Sequence, residues 1–153
     1  MSSSHRVSDL TAHLGYWLRQ VSNHVSQAFA RKVEAHGVTV AEWALMRSML
    51  EAGMASPSQL ADQLGMTRGA ISKLIERLVD KALVERTSHR EDRRYQSVSL
   101  TSKGRRLVPA LARLADHNDA EMFGHLTARA QFELVELLKG MVKRHGWKNV
   151  PVD

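Results

Sequence analysis

Apolar residues recur every three or four positions along most of this chain, and at every second position in one short region only. From Ser8 to Ala35 the recurring residues are Leu10, Leu14, Trp17, Val21, Val25, Ala28 and Phe29, a single stripe along a helix that Gly37 ends. At about 28 residues it is much longer than the usual 11–12, which predicts packing against a partner subunit. Thr39-Val-Ala-Glu42 has the form of a capping box, in which hydroxyl and carboxylate each take a backbone N–H. The helix it opens shows Trp43, Leu45, Met46, Met49 and Leu50 on its apolar face and stops at Gly53. Ser56-Pro57-Ser58-Gln59 repeats the box with proline at the first helical position. The short helix that follows turns Leu60, Ala61 and Leu64 inward and ends at Gly65, which suits a left-handed C-terminal position.

Only Met66 separates that glycine from the next cap, Thr67. The helix from Arg68 to Ala82 buries Ile71, Leu74, Ile75 and Leu78. "ALVERTS" and "YQSVSLT" then read as two strands, with the charged hexapeptide His89–Arg94 at the hairpin tip. Thr101-Ser-Lys-Gly104 opens another helix, apolar at Leu107, Val108, Leu111 and Leu114 and expected to kink at Pro109. A last helix from Thr127 to His145 carries Phe132, Leu134, Val135, Leu137, Leu138, Met141 and Val142. Two helices joined through "GMT" and followed at once by a basic hairpin describe a winged helix-turn-helix. The predicted class is mainly α with a small β-hairpin, in a single domain spanning 1–153. Within it, 39–101 is the winged helix-turn-helix, and 8–36 and 102–146 are flanking dimerisation helices.

Charge adds direction to this pattern. The chain carries 22 Lys/Arg against 16 Asp/Glu, a net charge of +6. Eleven of those cations and five of the acids fall between Met66 and Arg106, leaving eleven of each elsewhere, so the whole excess sits in one quarter of the sequence. A basic segment on a neutral scaffold is the footprint of a polyanion binder. With 43% hydrophobic and 25% charged residues the composition is that of a soluble globular domain. No apolar run reaches the roughly 20 residues of a membrane span, and the start has no apolar core of a secretory signal. The absence of cysteine rules out disulfides and thiol chemistry and fits a cytoplasmic location. No nucleophile motif, phosphate loop or dinucleotide glycine pattern is present, so neither an enzyme nor a cofactor is expected.

With the four apolar positions inward, Gly69, Lys73 and Glu76 point most directly out of the fourth helix, flanked by Ser72 and Arg77, with Arg68 in the first turn. Arg and Lys donate to guanine edges and Ser serves base or phosphate. Gly69 lets the backbone approach DNA, and Thr67, first of all a cap, adds a hydroxyl donor beside the helix N-terminus. In the wing, Arg90 and Arg93 suit phosphates. Asp92 stands two residues from Arg94, on the same strand face, and is expected to steady its guanidinium for a narrow minor groove.

The stretch "PSQLADQLGMTRGAISKLIERLVDKALVERTSHREDRRYQSVSLTSKG", above all "REDRR" and "LTSKG", resembles the MarR family of bacterial transcription regulators. The resemblance covers nearly the whole chain. It implies an obligate homodimer on a pseudo-palindromic operator in double-stranded DNA. It places Arg94 in the minor groove and Arg68, Ser72 and Lys73 at the major groove. It also implies a small aromatic or anionic effector between the dimerisation helices and the winged helix. The function expected is a homodimeric sequence-specific regulator, a repressor released by its effector. The alternative is a winged helix serving as a protein–protein module. No metal is expected: His13 and His24 share a face of the first helix but lie about 16 Å apart by helical rise, too far to share one ion. Trp17 and Trp43 fit either the core or an effector pocket.

Overall fold

The computed structural model describes residues 6–89 and 92–148; for His89 and residues 92–95 the description covers the backbone alone. The helices are α1 (Leu14–Glu34), α2 (Val40–Ala52), α3 (Pro57–Leu64), α4 (Arg68–Asp80), α5 (Ser102–Phe123) and α6 (Ala128–His145). The strands are β1 (Met54–Ala55), β2 (Val84–His89) and β3 (Asp92–Leu100), forming one antiparallel sheet in the order β1-β3-β2.

Where a helix start is coded by a local pattern, the structure follows it. Thr39 and Ser56 close full capping boxes with Glu42 and Gln59, while Thr67, Thr101 and Thr127 each accept the N–H three residues on. Gly65 takes the left-handed conformation that ends α3.

Three departures stand out. The first helix does not run unbroken from Ser8: a 3-10 turn, Leu10–Ala12, comes first, and His13 is extended at φ −97°, ψ 129°. The Trp17 indole N–H donates to Thr11 O at 2.9 Å and ties the turn back onto α1. Val7, Leu10 and Leu14 have no apolar cover among the described residues, so no burial there favours extending the helix. Second, α4 stops at Asp80 rather than Ala82. Ala82 adopts a left-handed φ of 57° and Leu83 N–H returns to Leu78 O, which swings Leu83 and Val84 into the core.

Third, the strands reach further than expected, so His89 and Asp92–Arg94 belong to them and not to the tip, with a register shift between Ser88 and His89. β1 was not foreseen. Two residues carry no alternation to read, yet Met54 and Ala55 pair with Ser99 and Val98. Pro109 lies inside α5, which stays helical on both sides of it. Pro109 is exposed, so its ring lies on the side of the helix away from the core.

The core joins four helices to the sheet: Leu45, Met46 and Met49 of α2, Leu60 of α3, Ile71, Ile75 and Leu78 of α4, Val84, Val98 and Leu100 of the sheet, and Val108 and Leu111 of α5. Full burial of such a side chain contributes about 1.5–3 kcal/mol, so this part is stabilised within one chain. Gly104 sits where the start of α5 crosses Leu83, and a Cβ there would collide with the Leu83 carbonyl oxygen. Higher up, Asn118 (4% exposed) accepts from Lys32 Nζ at 2.9 Å and donates to Val25 O at 3.2 Å, fixing α5 against α1.

The two ends differ from this. α6 buries no residue, and leaves Phe132, Leu137, Leu138, Met141 and Val142 between 40% and 65% exposed. The N-terminal half of α1 leaves Leu14, Trp17, Leu18 and Val21 uncovered. Among the described residues, no helix is long and apolar enough to cross a membrane.

Candidate nucleic-acid interface

The face of α4 opposite its buried stripe is built from the first turn upward. Thr67 Oγ1 accepts Ala70 N–H at 3.1 Å, which fixes the helix start and leaves the hydroxyl hydrogen to donate elsewhere. Arg68, Gly69, Ser72, Lys73 and Arg77 are all exposed, while Ile71, Ile75 and Leu78 are 0–1% exposed and lock the helix's rotation. Within the described residues, Arg68, Lys73 and Arg77 have no carboxylate partner. The structure therefore brings Thr67, Arg68, Gly69, Ser72, Lys73 and Arg77 onto one open surface, which the exposed acids Glu76 and Asp80 border further along the helix.

Gly69 is informative because the fold does not require it. A Cβ at that position meets no atom within 4 Å, and its φ is not positive. A glycine in a helix costs roughly 0.5–1 kcal/mol relative to alanine, and here it leaves the backbone of the first turn open to close approach from outside the chain.

The hairpin follows α4 directly, with β2 packed against the helix. Arg90 lies outside the described residues, as do the side chains of Asp92, Arg93 and Arg94, so the expected Asp92–Arg94 contact falls there too. Their backbone belongs to β3.

A second basic region was not read from the sequence. A groove of about 530 Å³ opens between the α1–α2 turn, the end of α4 and the start of α5, with His36, Lys81, Lys103 and Arg106 around an apolar floor of Leu83, Leu107 and Ala110. Among the described residues no carboxylate lines it, although the Lys81 ammonium is 2.7 Å from the buried Glu42 Oε2 behind it. These residues lie up to 74 positions apart in the chain, so no local spacing could have joined them. Trp17 and Trp43 line no part of this groove. Trp17 is 53% exposed on the uncovered stripe, and Trp43 packs edge-on against Phe29 with its indole N–H buried and unbonded among the described residues. Among those residues no cluster of three His, Asp or Glu is placed to hold a metal ion.

A family model described as MarR family matches residues 36–94. The HTH-type transcriptional regulator PrsX of Escherichia coli is 30% identical over 113 residues, spanning 72% of this chain and 68% of PrsX. This chain belongs to the MarR family. An HTH-type transcriptional repressor of Mycobacterium bovis is 26% identical over 128 residues, 84% of this chain and 92% of that protein. The crystal structure of a mutant Escherichia coli MarR complexed with operator DNA superposes with a TM-score of 0.76 at 27% identity, covering 88% of this chain and 99% of that one. The fold is thus the MarR winged helix, and the chain is a DNA-binding transcription regulator of that family.

Proposed function

We propose that this MarR-family regulator acts as a homodimer that binds a pseudo-palindromic operator and represses transcription until a small effector releases it. The observation that carries the DNA reading is the open face of α4, where Arg68, Lys73 and Arg77 have no ion-pair partner among the described residues and stand beside a glycine that packing does not require. Arg68, Ser72 and Lys73 face the major groove, and Thr67 and the helix N-terminus hold a phosphate. Arg90 and Arg93 of the wing take flanking phosphates, and Arg94, steadied by Asp92, enters the minor groove. As a protein-docking surface this face fits poorly, because Val79 is its one large exposed apolar side chain and such surfaces are apolar at their centre.

The dimer reading rests on the apolar faces of α1 and α6, which one chain leaves bare. Segments 8–36 and 102–146 supply the subunit contact, and 39–101 grips DNA. Two copies of α4 then stand about 34–36 Å apart, one turn of DNA. The basic groove with its apolar floor suits a small aromatic or anionic effector. An effector that binds better to a dimer with the wrong α4 spacing lowers operator affinity by that preference alone. The test is capture of native genomic fragments by the purified protein, with sequencing of what is held. Recurrent near-palindromic sites upstream of genes are expected; recovery no different from random sequence refutes the reading.

A further inference from the structure

The far end of α4 is clamped from three sides. Lys81, at the helix C-cap, places its ammonium 2.7 Å from Glu42 Oε2 and donates a second bond to Gly37 O at 2.8 Å. Glu42 is 1% exposed, and the same oxygen accepts Thr39 N–H at 3.2 Å. The start of α5 takes the carbonyls that follow. Lys103 Nζ donates to Lys81 O at 3.2 Å, the Thr101 hydroxyl to Ala82 O at 2.7 Å, and Thr101 N–H to Leu83 O at 3.1 Å. One short segment thus joins the α1–α2 turn, the first turn of α2 and the first turn of α5.

Ending the helix does not require this. Ala82 and Leu83 N–H groups already return to the Val79 and Leu78 carbonyls, which closes α4 by itself. The ion pair adds a constraint of another kind. A carboxylate in the interior holds its partner cation in place, because leaving the charge uncompensated there is strongly unfavourable. Among the described residues Lys81 is the ion-pair partner of Glu42, so burial of Glu42 fixes the end of α4 in space.

That end is a pivot. Arg68 lies about 20 Å along the axis from Lys81 at 1.5 Å of rise per residue, so a tilt of about 5° moves the first turn by roughly 1.7 Å. A displacement of that size takes a hydrogen bond of about 2.9 Å out of range. We propose that Lys81 is a positioning residue: its ion pair with Glu42 sets the angle at which α4 presents Arg68, Gly69, Ser72 and Lys73, and so sets operator affinity without touching DNA. This rests on the DNA reading of α4 above.

Three full-length variants test it: Lys81→Met, the pair Glu42→Gln with Lys81→Met, and Lys81→Arg. Each is checked for fold and subunit state, then titrated with operator and with a random duplex of equal length over a range of salt. The Gln of the double variant leaves no buried charge, so it folds even where Lys81→Met alone does not. The expected result is a loss of about tenfold or more in operator affinity for the Met variants, with random-duplex affinity and salt slope unchanged, because specific base contacts are geometry-sensitive. Lys81→Arg, which keeps the charge, stays within about threefold of the parent on the same grounds. Operator affinity of the double variant equal to the parent's overturns the proposal, since Lys81 then serves the fold alone. A salt slope lowered by about one per subunit also overturns it, because the ammonium then contacts phosphate. A parent that binds no duplex at all is a separate result: it removes the DNA reading of α4 and this proposal with it.

Discussion

Replacing Gly69 with alanine moves stability and operator affinity in opposite directions. On the fold side, an added Cβ meets nothing within 4 Å and the backbone is helical there, so no strain opposes it. The gain in helix propensity is about 0.5–1 kcal/mol, at its lower end for a residue in the first turn. For a domain of this size that raises Tm by about 1–3 °C. On the binding side, the methyl group stands where DNA approaches the backbone and pushes the first turn off its contacts. Loss of about 1–1.5 kcal/mol per subunit, doubled in a dimer, weakens operator binding by about 30- to 150-fold. Thermal melting followed by circular dichroism gives the first quantity, and fluorescence anisotropy with labelled operator gives the second. An alanine variant that melts higher and binds as tightly as the parent shows that nothing approaches Gly69, and the close-approach reasoning fails.

Gly104→Ala is expected to destabilise by about 1–3 kcal/mol, because the colliding atom is the Leu83 backbone carbonyl and cannot rotate away; urea unfolding at parent stability refutes it. Ala82→Gly is expected to stabilise by about 1 kcal/mol, since alanine at φ 57° bears the steric penalty that glycine lacks, and a lower urea midpoint contradicts this. Leu137→Glu together with Val21→Glu, two positions on the bare faces of α6 and α1, is expected to convert the dimer into a folded monomer by sedimentation velocity, with operator binding lost. Dimers unchanged by both charges place the subunit contact elsewhere.

The sequence made some parts of this molecule legible and hid others, and the division follows distance along the chain. Thr39 with Glu42, Ser56 with Gln59 and Gly65 at its left-handed turn are interactions within three or four residues, so their spacing alone discloses them. The outward face of α4 is equally local: once Ile71, Leu74, Ile75 and Leu78 face the core, helical geometry fixes where Lys73 and Arg77 point, and Arg68 reaches out because it starts the helix. β1 was hidden because its two residues pair with Ser99 and Val98, more than forty positions on. The helix break at His13 depends on the Trp17 indole reaching Thr11, a side-chain contact that an apolar stripe does not record. Glu42 was legible as half of a capping box, whereas its pairing with Lys81, 39 positions away, exists only in the folded chain. The groove beside that pair was invisible for the same reason, and it draws on Lys103 and Arg106, which by sequence are merely part of a basic run.

The central claim is that the cations of α4 and the wing hold the phosphate backbone of duplex DNA. Its most direct test is the dependence of operator affinity on salt concentration. For about eight phosphates neutralised per dimer, the log of the binding constant falls against the log of salt with a slope near −7. A slope near zero, or no affinity for any duplex at low ionic strength, contradicts it.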